Sequence, residues 1–495
     1  MFKKLGTLSK NISFARFFDA PHKKFFWGAA SFLFGIFIAS VGFSRPAFPF
    51  LLAVFLIFLT ISLVSRGRGF SFLAFSAFLI FSGAFYYGVF DLRSASVNIP
   101  FNEKTLVVGI VSDEPTTRND FQEARVMLSH PYKGGILLKK SPFPELQYGD
   151  EIEIEGIIRV VEDNGYGRFL KKEGIRGTVS FPNISIRSNN NGSAIRRTLI
   201  EIKGYGFRGI ESTLSYESAA FLKGILFGDT SEFSHNFKEA MKMSGTTHIV
   251  ALSGYNITIL ANALLLVLLL FFSPRVSAIL ATLGIGAFVI MTGASPSVVR
   301  AGIMGIILIF GKRFGGEKDM KNAILFAALI MILVNPYILI SDIGFQLSFF
   351  AFLGIVYIAP LGMAYFPGKE KRFSSWRDNL FSTISAQIMV LPILLSQFGV
   401  VSIISVPANL IILEFIPCTM GFGFFTMCIG MISSIGVFLP GVLLEYLLYY
   451  EMAVIEFFGL VGGLASFKFS ATMSVLYYAL LFLFVRYVRR SIRVT

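Results

Sequence analysis

Long apolar runs joined by short polar turns account for most of this chain, and one stretch of alternating residues interrupts them. Runs near residues 25 to 43, 47 to 64 and 70 to 90 each have about the length needed to cross a hydrocarbon core as helix. From about 91 to 207 the period falls to two. TLVVGIVS (105 to 112), ARVMLSH (124 to 130), GGILLKK (134 to 140), EIEIEGIIRV (151 to 160) and GIRGTVSF (174 to 181) predict short strands between polar turns, enough for a small barrel. Residues 188 to 210 begin as a polar linker and become a basic amphipathic segment, expected on the outer membrane surface. FLKGILFGD and a helix-like SEFSHNFKEAMKMSG follow, with Ser234 placed as an N-cap. Apolar runs then resume near 248 to 272, 276 to 292, 295 to 311, 321 to 341, 343 to 361 and 379 to 398. Residues 402 to 438 are too long for one simple helix and contain Pro407 and Pro417, which predicts a crossing plus a re-entrant or bent piece. Two last runs lie near 441 to 463 and 471 to 488. The pattern predicts a polytopic α-helical membrane protein of about 12 spans carrying an inserted small all-β domain.

Composition supports the membrane reading and supplies an orientation. With 54% hydrophobic residues and 56 Phe, and a mean hydropathy of +0.69, the chain is too apolar for a soluble protein of its length. Its net charge of +14 lies mostly in short loops, where it reports topology before it reports a ligand. Lys3, Lys4, Lys10, Arg16, Lys23 and Lys24 place the N-terminus inside, and Arg66 and Arg68 mark an inner turn, so the third span leads outward. Lys312, Arg313, Lys318 and Lys321 mark one later inner loop, Lys369, Lys371, Arg372 and Arg377 another, and RYVRRSIRVT a cytoplasmic end. The basic start has no small-residue cleavage site and reads as a retained tail. The expected division is a tail and three spans over 1–90, an extracytoplasmic β domain over 91–187, and a linker with amphipathic or re-entrant segments over 188–246. A transmembrane module over 247–488 and a basic tail over 489–495 complete it.

Most soluble-enzyme chemistry is missing. Cys418 and Cys428 stand alone, and His22, His130, His235 and His248 are scattered, so no zinc spacing or disulfide framework exists and no cofactor is expected. The segment Gly305 to Arg313 has the wrong spacing for a phosphate loop and lacks its Ser or Thr. His248 and Ser253 sit about half a turn off a shared helix face with no nearby carboxylate, which argues against a serine nucleophile. What stands out is hydrophilic groups inside apolar runs: His248, Ser253, Gly254, Tyr255 and Asn256, then Ser297, Arg300, Gln346, Gln387 and Asn409. Two uses are open for them, interhelical hydrogen bonds or a wet track for a polar solute. Arg300 in particular either meets phosphate, snorkels to a rim or pairs with Asp342. Glu414, Glu445, Glu451 and Glu456 are expected at helix ends or in pairs.

In the β domain Lys and Arg number 16 against 15 Asp and Glu over 91 to 207, so no general polyanion surface exists. A local cluster of Tyr166, Arg168, Phe169, Lys171, Lys172 and Arg176, with Lys139 and Lys140 on a strand, is either a solvated face or a single-strand site. The Gly-Asp turn feeding an alternating strand in LQYGDEIEIEG looks like part of an OB-fold.

Four blocks resemble the ComEC-type competence proteins: LKGILFGDTSEFSHNFKEAMKMSGTTHIVALSGYNI (222 to 257), TGASPSVVRAGIMGI (292 to 306), NPYILISDIGFQLSFFAFLGIVYIAP (335 to 360) and SAQIMVLPILLSQFGVVSIISVPANLI (385 to 411). The stretch NGYGRFLKKEGIRGTV (164 to 179) is similar to the end of that family's OB-like domain. One departure is local: the family usually has Leu-His after the Ser-Gly, where this chain has Tyr255 and Asn256, so no role of that histidine carries over. The resemblance implies a cytoplasmic-membrane channel conducting single-stranded DNA inward during natural transformation, with membrane lipid around it. It also implies an external DNA receptor and a cytoplasmic helicase-like motor. Many members continue into a metallo-β-lactamase-like domain; no HxHxDH-like motif occurs here, so a separate nuclease is expected and no enzyme activity. The alternatives are a secondary transporter or channel for a small anion and a membrane-embedded hydrolase.

Overall fold

Close approach of two glycine-bearing helices sets the first contact. In the computed structural model, which describes residues 21–42, 68–95, 97–118, 121–162, 164–252, 254–311, 320–365, 374–431 and 438–492, these are α1 (Pro21–Gly42) and α2 (Arg68–Ala95). A Cβ at Gly35 would collide with the backbone of Ile80, and one at Gly83 with the carbonyl of Phe32, so the backbones touch as small-residue membrane interfaces do. The expected span over 47 to 64 and most of the two basic inner loops lie outside the described residues.

The alternating stretch forms β1 (Lys104–Val111), β2 (Thr116–Arg118), β3 (Phe121–Leu128), β4 (Gly135–Lys140), β5 (Glu151–Ile157) and β6 (Arg159–Val160), then α3 (Gly165–Lys172), β7 (Ile175–Ser180) and β8 (Asn183–Ser188). Period two is visible in β5, where Ile152 and Ile154 are buried, while Glu153 faces out to Arg187 at 2.8 Å and Glu155 to Lys104 at 3.0 Å. The Lys104 hydrogen bond holds the Glu155 carboxyl below the usual range. The Gly149 turn has a φ of +87°, and Asp150 closes it by accepting the Gln147 amide at 2.7 Å. Strand order is β6-β7-β4-β3-β1-β5-β8, with β2 on β3. Since β5 and β6 are one run broken only at buried Ile158, the two ends of the β6-to-β5 path are the same strand and the sheet curls back on itself.

After the sheet come α4 (Ala194–Glu211), α5 (Tyr216–Phe227), α6 (His235–Ser244), α7 (Gly254–Phe271), α8 (Pro274–Met291), α9 (Pro296–Gly311) and α10 (Met320–Val334). They are followed by α11 (Ile338–Ser341), α12 (Ile343–Tyr357), α13 (Ala359–Tyr365), α14 (Ser374–Gln397), β9 (Val400–Ser402), α15 (Ser405–Ile412) and α16 (Ile416–Gly430). The chain finishes with α17 (Phe438–Val461), β10 (Leu464–Ser466) and α18 (Ala471–Ile492). Among the described residues six helices are long and apolar enough to cross a membrane, or seven if the pair α15 and α16, bent by 48°, makes one span. The bend falls between Pro407 and Pro417, with Pro417 in the first turn of α16, where its missing N–H costs nothing. Shorter apolar helices cover Asn256–Phe271, Pro296–Ile306 and Asn322–Val334. Ser234 caps α6 as expected, accepting the Phe237 amide at 3.1 Å. The amphipathic segment does not lie open: α4 packs on α16, where a Cβ at Gly430 would meet the backbone of Gly209 at 2.6 Å.

Polar contacts fix the β domain onto the helices. Lys172, at the end of α3, reaches Asp342 Oδ2 at 2.5 Å and Glu173 at 2.8 Å, with side chains of Lys172 and Asp342 only 3% and 7% exposed. The other Asp342 oxygen accepts the Phe345 amide at 2.7 Å and caps α12, and Asn335 donates to the Lys172 carbonyl at 2.9 Å. Arg176 donates to Ser94 of α2. Breaking a buried pair from one side leaves an uncompensated charge. Lys172→Met is therefore expected to destabilise the protein by about 3–5 kcal/mol. Adding Asp342→Asn, which keeps the cap oxygen, recovers most of that loss; thermal unfolding of the single and double variants in nanodiscs checks both.

Candidate functional site

The stretch from 235 to 271, which joins the end of the first family-like block to the apolar run after it, is not one helix. Gly245 ends α6 in the left-handed region at φ +71°, and a Cβ there would meet the Cβ of Ser405 at 2.5 Å, so only glycine fits. Residues Thr247–Ile249 make a single 3₁₀ turn, and α7 starts only at Gly254. The apolar run expected from 248 is thus corrected: among the described residues 245–252 hold only a single 3₁₀ turn, and Ser253 lies outside them. Backbone freed by such a break needs partners. Asn256 supplies one, its amide donating to the Ile249 carbonyl at 3.2 Å, and also ties the turn to α5 by donating to the Ile225 carbonyl at 3.3 Å.

His248 hydrogen-bonds the backbone of Gly245 and is exposed, as are Thr247 and Ala251. The turn therefore presents an accessible edge. A relay of polar groups from the last sequence block closes behind it. Gln387 on α14 donates to Ser405 Oγ at 2.8 Å, Ser405 Oγ to the Ser402 carbonyl at 2.8 Å, and Ser402 Oγ to the Met243 carbonyl at 2.6 Å. Asn409, one turn along α15, is buried with its Oδ1 unpartnered among the described residues.

Arg300 on α9 approaches the same break from the other side. It is 6% exposed, and its Nη2 stands 3.5 Å from where a Cβ on Gly254 would be. The guanidinium lies 5.5 Å from the Phe349 ring centroid, and Nη1 has no hydrogen-bond partner among the described residues. It does not pair with Asp342, which Lys172 has taken. Ser297 faces Ser295 at 3.4 Å between their hydroxyls. Gln346 sits apart, donating to the Leu339 and Ile340 carbonyls at the α11–α12 break. Only the backbone of Tyr255 is described.

In the β domain the candidate cluster divides. Tyr166 and Phe169 are 58% and 38% exposed and stack at 6.3 Å, with Arg168 exposed beside them. Lys139 lies 3.7 Å over the Phe121 ring, and Lys171 is half-buried. Three positions are withdrawn from solvent ligands: Lys172 by Asp342, Arg176 by Ser94, and Lys140 by the carbonyls of Ser141 and Pro144 at 2.5 Å each. The reason is the same each time, that a cation withdrawn from water takes the nearest oxygen.

The acidic residues divide, with Glu414 at a helix end between α15 and α16 as expected and Glu445 and Glu451 within α17. Glu445 accepts from Ser215 and Ser218 at 2.6 and 2.7 Å, and Glu414 from Asn379 at 3.0 Å. Glu451 is neither at a helix end nor ion-paired among the described residues; it is fully buried in mid-α17, held by Thr419 at 2.5 Å. Sequence reading missed Lys223, buried between Glu211 at 2.5 Å and Glu232 at 2.8 Å. A lysine in the apolar LKGILFGD run was its only signal.

Comparison with known proteins bears on the same region. The family model described as Competence protein matches residues 225–491. A curated relative, ComE operon protein 3 of Bacillus subtilis (strain 168), is 28% identical over 251 residues, which is 50% of this chain and 31% of the relative. The chain thus matches about a third of that relative's length. No solved structure matches. With the family match covering more than half of the chain and taking in the interrupted helix, Arg300 and the Gln387 relay together, the chain belongs to the competence protein family.

Proposed function

We propose that this chain is the membrane channel of a DNA-uptake system, passing a single strand inward across the cytoplasmic membrane during natural transformation. The observation that carries the reading is the break at 245–253. Blocks far apart in sequence meet there beside an accessible turn that carries Thr247, His248 and Ala251. Membership of the competence family supplies the cargo class. A polyanion needs a wet wall with few fixed charges, since many cations would hold it and carboxylates would repel it. Hydroxyls, amides and one arginine meet that demand.

The β domain reads as OB-like and outside the membrane, and its strand order, with β5–β6 joining both ends, supports that reading. Tyr166, Phe169 and Arg168 form the surface on which a strand would stack before transfer. Both termini then lie in the cytoplasm. Work against the membrane comes from partners: an external DNA receptor, a separate nuclease and a cytoplasmic helicase-like motor.

A second reading is favoured by the same break. An interrupted helix whose second half starts at the site is also how secondary transporters present backbone to a small anion. Proteoliposomes separate the two: conductance that added single strands block favours the channel, and ion-coupled uptake of a small solute favours the transporter.

In a naturally competent host, loss of the gene is expected to abolish entry of labelled DNA into the cytoplasm, and normal uptake rejects the role. Crowding that turn with Ala251→Phe is expected to lower transformation by about tenfold or more, as about 1.4 kcal/mol added to the barrier would. Transformation counts at matched membrane levels of protein check it, with Leu270→Phe on the exposed face of α7 as the control that leaves uptake unchanged.

A further inference from the structure

We infer that Glu451, in the middle of α17, is a proton-binding site: its carboxyl holds a proton in the resting protein, shares it with Thr419 of α16, and gives it up when the two helices part during transport. The site itself does not depend on the cargo; its use during transport rests on the channel reading.

Burial comes first. At a spacing of four, three and four residues α17 turns Leu444, Leu448, Glu451 and Ile455 inward, and all of them are fully buried. An acid thus occupies a place in an otherwise aliphatic seam. Opposite it, α16 buries Ile416, Thr419 and Met420. Oε1 of Glu451 meets the Thr419 hydroxyl at 2.5 Å, and Oε2 is buried with no hydrogen-bond partner among the described residues. An ionised carboxylate would carry its charge into that seam with one oxygen bare, whereas a neutral acid leaves only a carbonyl unpaired.

Among the described residues no cation pairs with Glu451 to offset such a charge. Helices α5, α6, α15 and α16 pack on α17. α15 has no titratable residue, and α16 has only Cys418 and Cys428, both exposed. On α6, His235, Lys238, Glu239 and Lys242 are exposed. On α5, Tyr216 and Glu217 are exposed, and Lys223 is held by Glu211 and Glu232. On α17 itself, Glu445 accepts from Ser215 and Ser218, while Tyr446, Tyr449, Tyr450 and Glu456 are exposed.

The hydroxyl count agrees. Thr419 has one hydroxyl proton and two acceptors in reach, Glu451 Oε1 and the Phe415 carbonyl at 3.2 Å. With Glu451 neutral the line has no conflict: the carboxyl donates to Thr419 Oγ1, and that hydroxyl donates to the Phe415 carbonyl. Once the proton leaves, the hydroxyl turns to the carboxylate, and the Phe415 carbonyl keeps only the Thr419 amide at 3.0 Å. Phe415 immediately precedes α16, where α15 and α16 are bent by 48°. Proton occupancy is thereby tied to the backbone at that bend.

Packing alone does not call for an acid at 451. Buried ionisable groups are often replaced by apolar side chains of similar size without loss of stability, and an acid inside a bundle of membrane helices is costly to keep. What an acid offers there, and leucine or glutamine does not, is exchange of a proton.

The test uses the full chain in nanodiscs at neutral pH. Infrared difference spectra, wild type minus Glu451→Gln, are expected to show the C=O band of a protonated carboxyl, with the melting temperature of the variant level with wild type. Thr419→Val removes the acceptor and is expected to move that band to higher frequency without abolishing it. In a naturally competent host Glu451→Gln, which keeps the shape and cannot release a proton, is expected to lose transformation at normal membrane levels, a loss that a packing role would not produce. A spectrum with no protonated band that Glu451→Gln removes overturns the site. Transformation at the wild-type level in Glu451→Gln overturns its use in transport. If Glu451→Gln does not fold, Thr419→Val decides, and a carboxyl region identical with wild type overturns the site. If loss of the gene leaves DNA uptake normal while the band is present, the channel reading falls and the proton site stands.

Discussion

A backbone that leaves helical geometry inside a membrane protein must find its hydrogen bonds elsewhere, and the rest of this fold is arranged to provide them at one place. Among the described residues between Ser244 and Gly254 there is no α-helix. Asn256 bonds the turn from one side, and Ser402 takes the Met243 carbonyl from the other. Remove these and the break would either heal into helix or open to water. Because the partners come from α7 and from the segment around β9, the break also fixes how those elements pack. The glycine at 245 is the steric counterpart, since two serines occupy the space a side chain would need.

The same economy of polar groups explains how the β domain is held. Near neutral in its count of charges, it docks through one buried pair, Lys172 to Asp342, and two half-buried contacts, Arg176 to Ser94 and Arg196 to Asp113 at 2.5 Å. These contacts consume cations that composition alone would offer to a polyanion. What remains outward, Tyr166, Arg168 and Phe169, is aromatic more than basic, which suits stacking better than charge-driven capture.

Apolar run length and strand alternation were legible without coordinates, because each reflects a local period: Ile152 and Ile154 against Glu153, or the uninterrupted run of α8. The bend near Pro417 and the Ser234 cap were legible for the same reason, being set by residues next to them. Pairings across the fold were not. Nothing near Asp342 in sequence announces Lys172, 170 residues away, and nothing near Arg300 says that it is left without a carboxylate. The start of α7 at Gly254 was half legible: a serine and a glycine at 253 and 254 stood out inside an apolar run, but the turn before it depends on Ser402 and Ser405, more than a hundred residues on. Glu451, fully buried against Thr419, shows the limit from the other side, since a carboxylate in an apolar helix gives no sequence sign of its depth.

Everything turns on whether the space beside the break is where the cargo passes. A photo-crosslinking residue placed at His248, compared with one at Leu266 on the exposed face of α7, during uptake of labelled DNA by competent cells reads this directly. The account predicts strand adducts at 248 and none at 266. Adducts at neither position, while uptake proceeds at the normal rate, would contradict it.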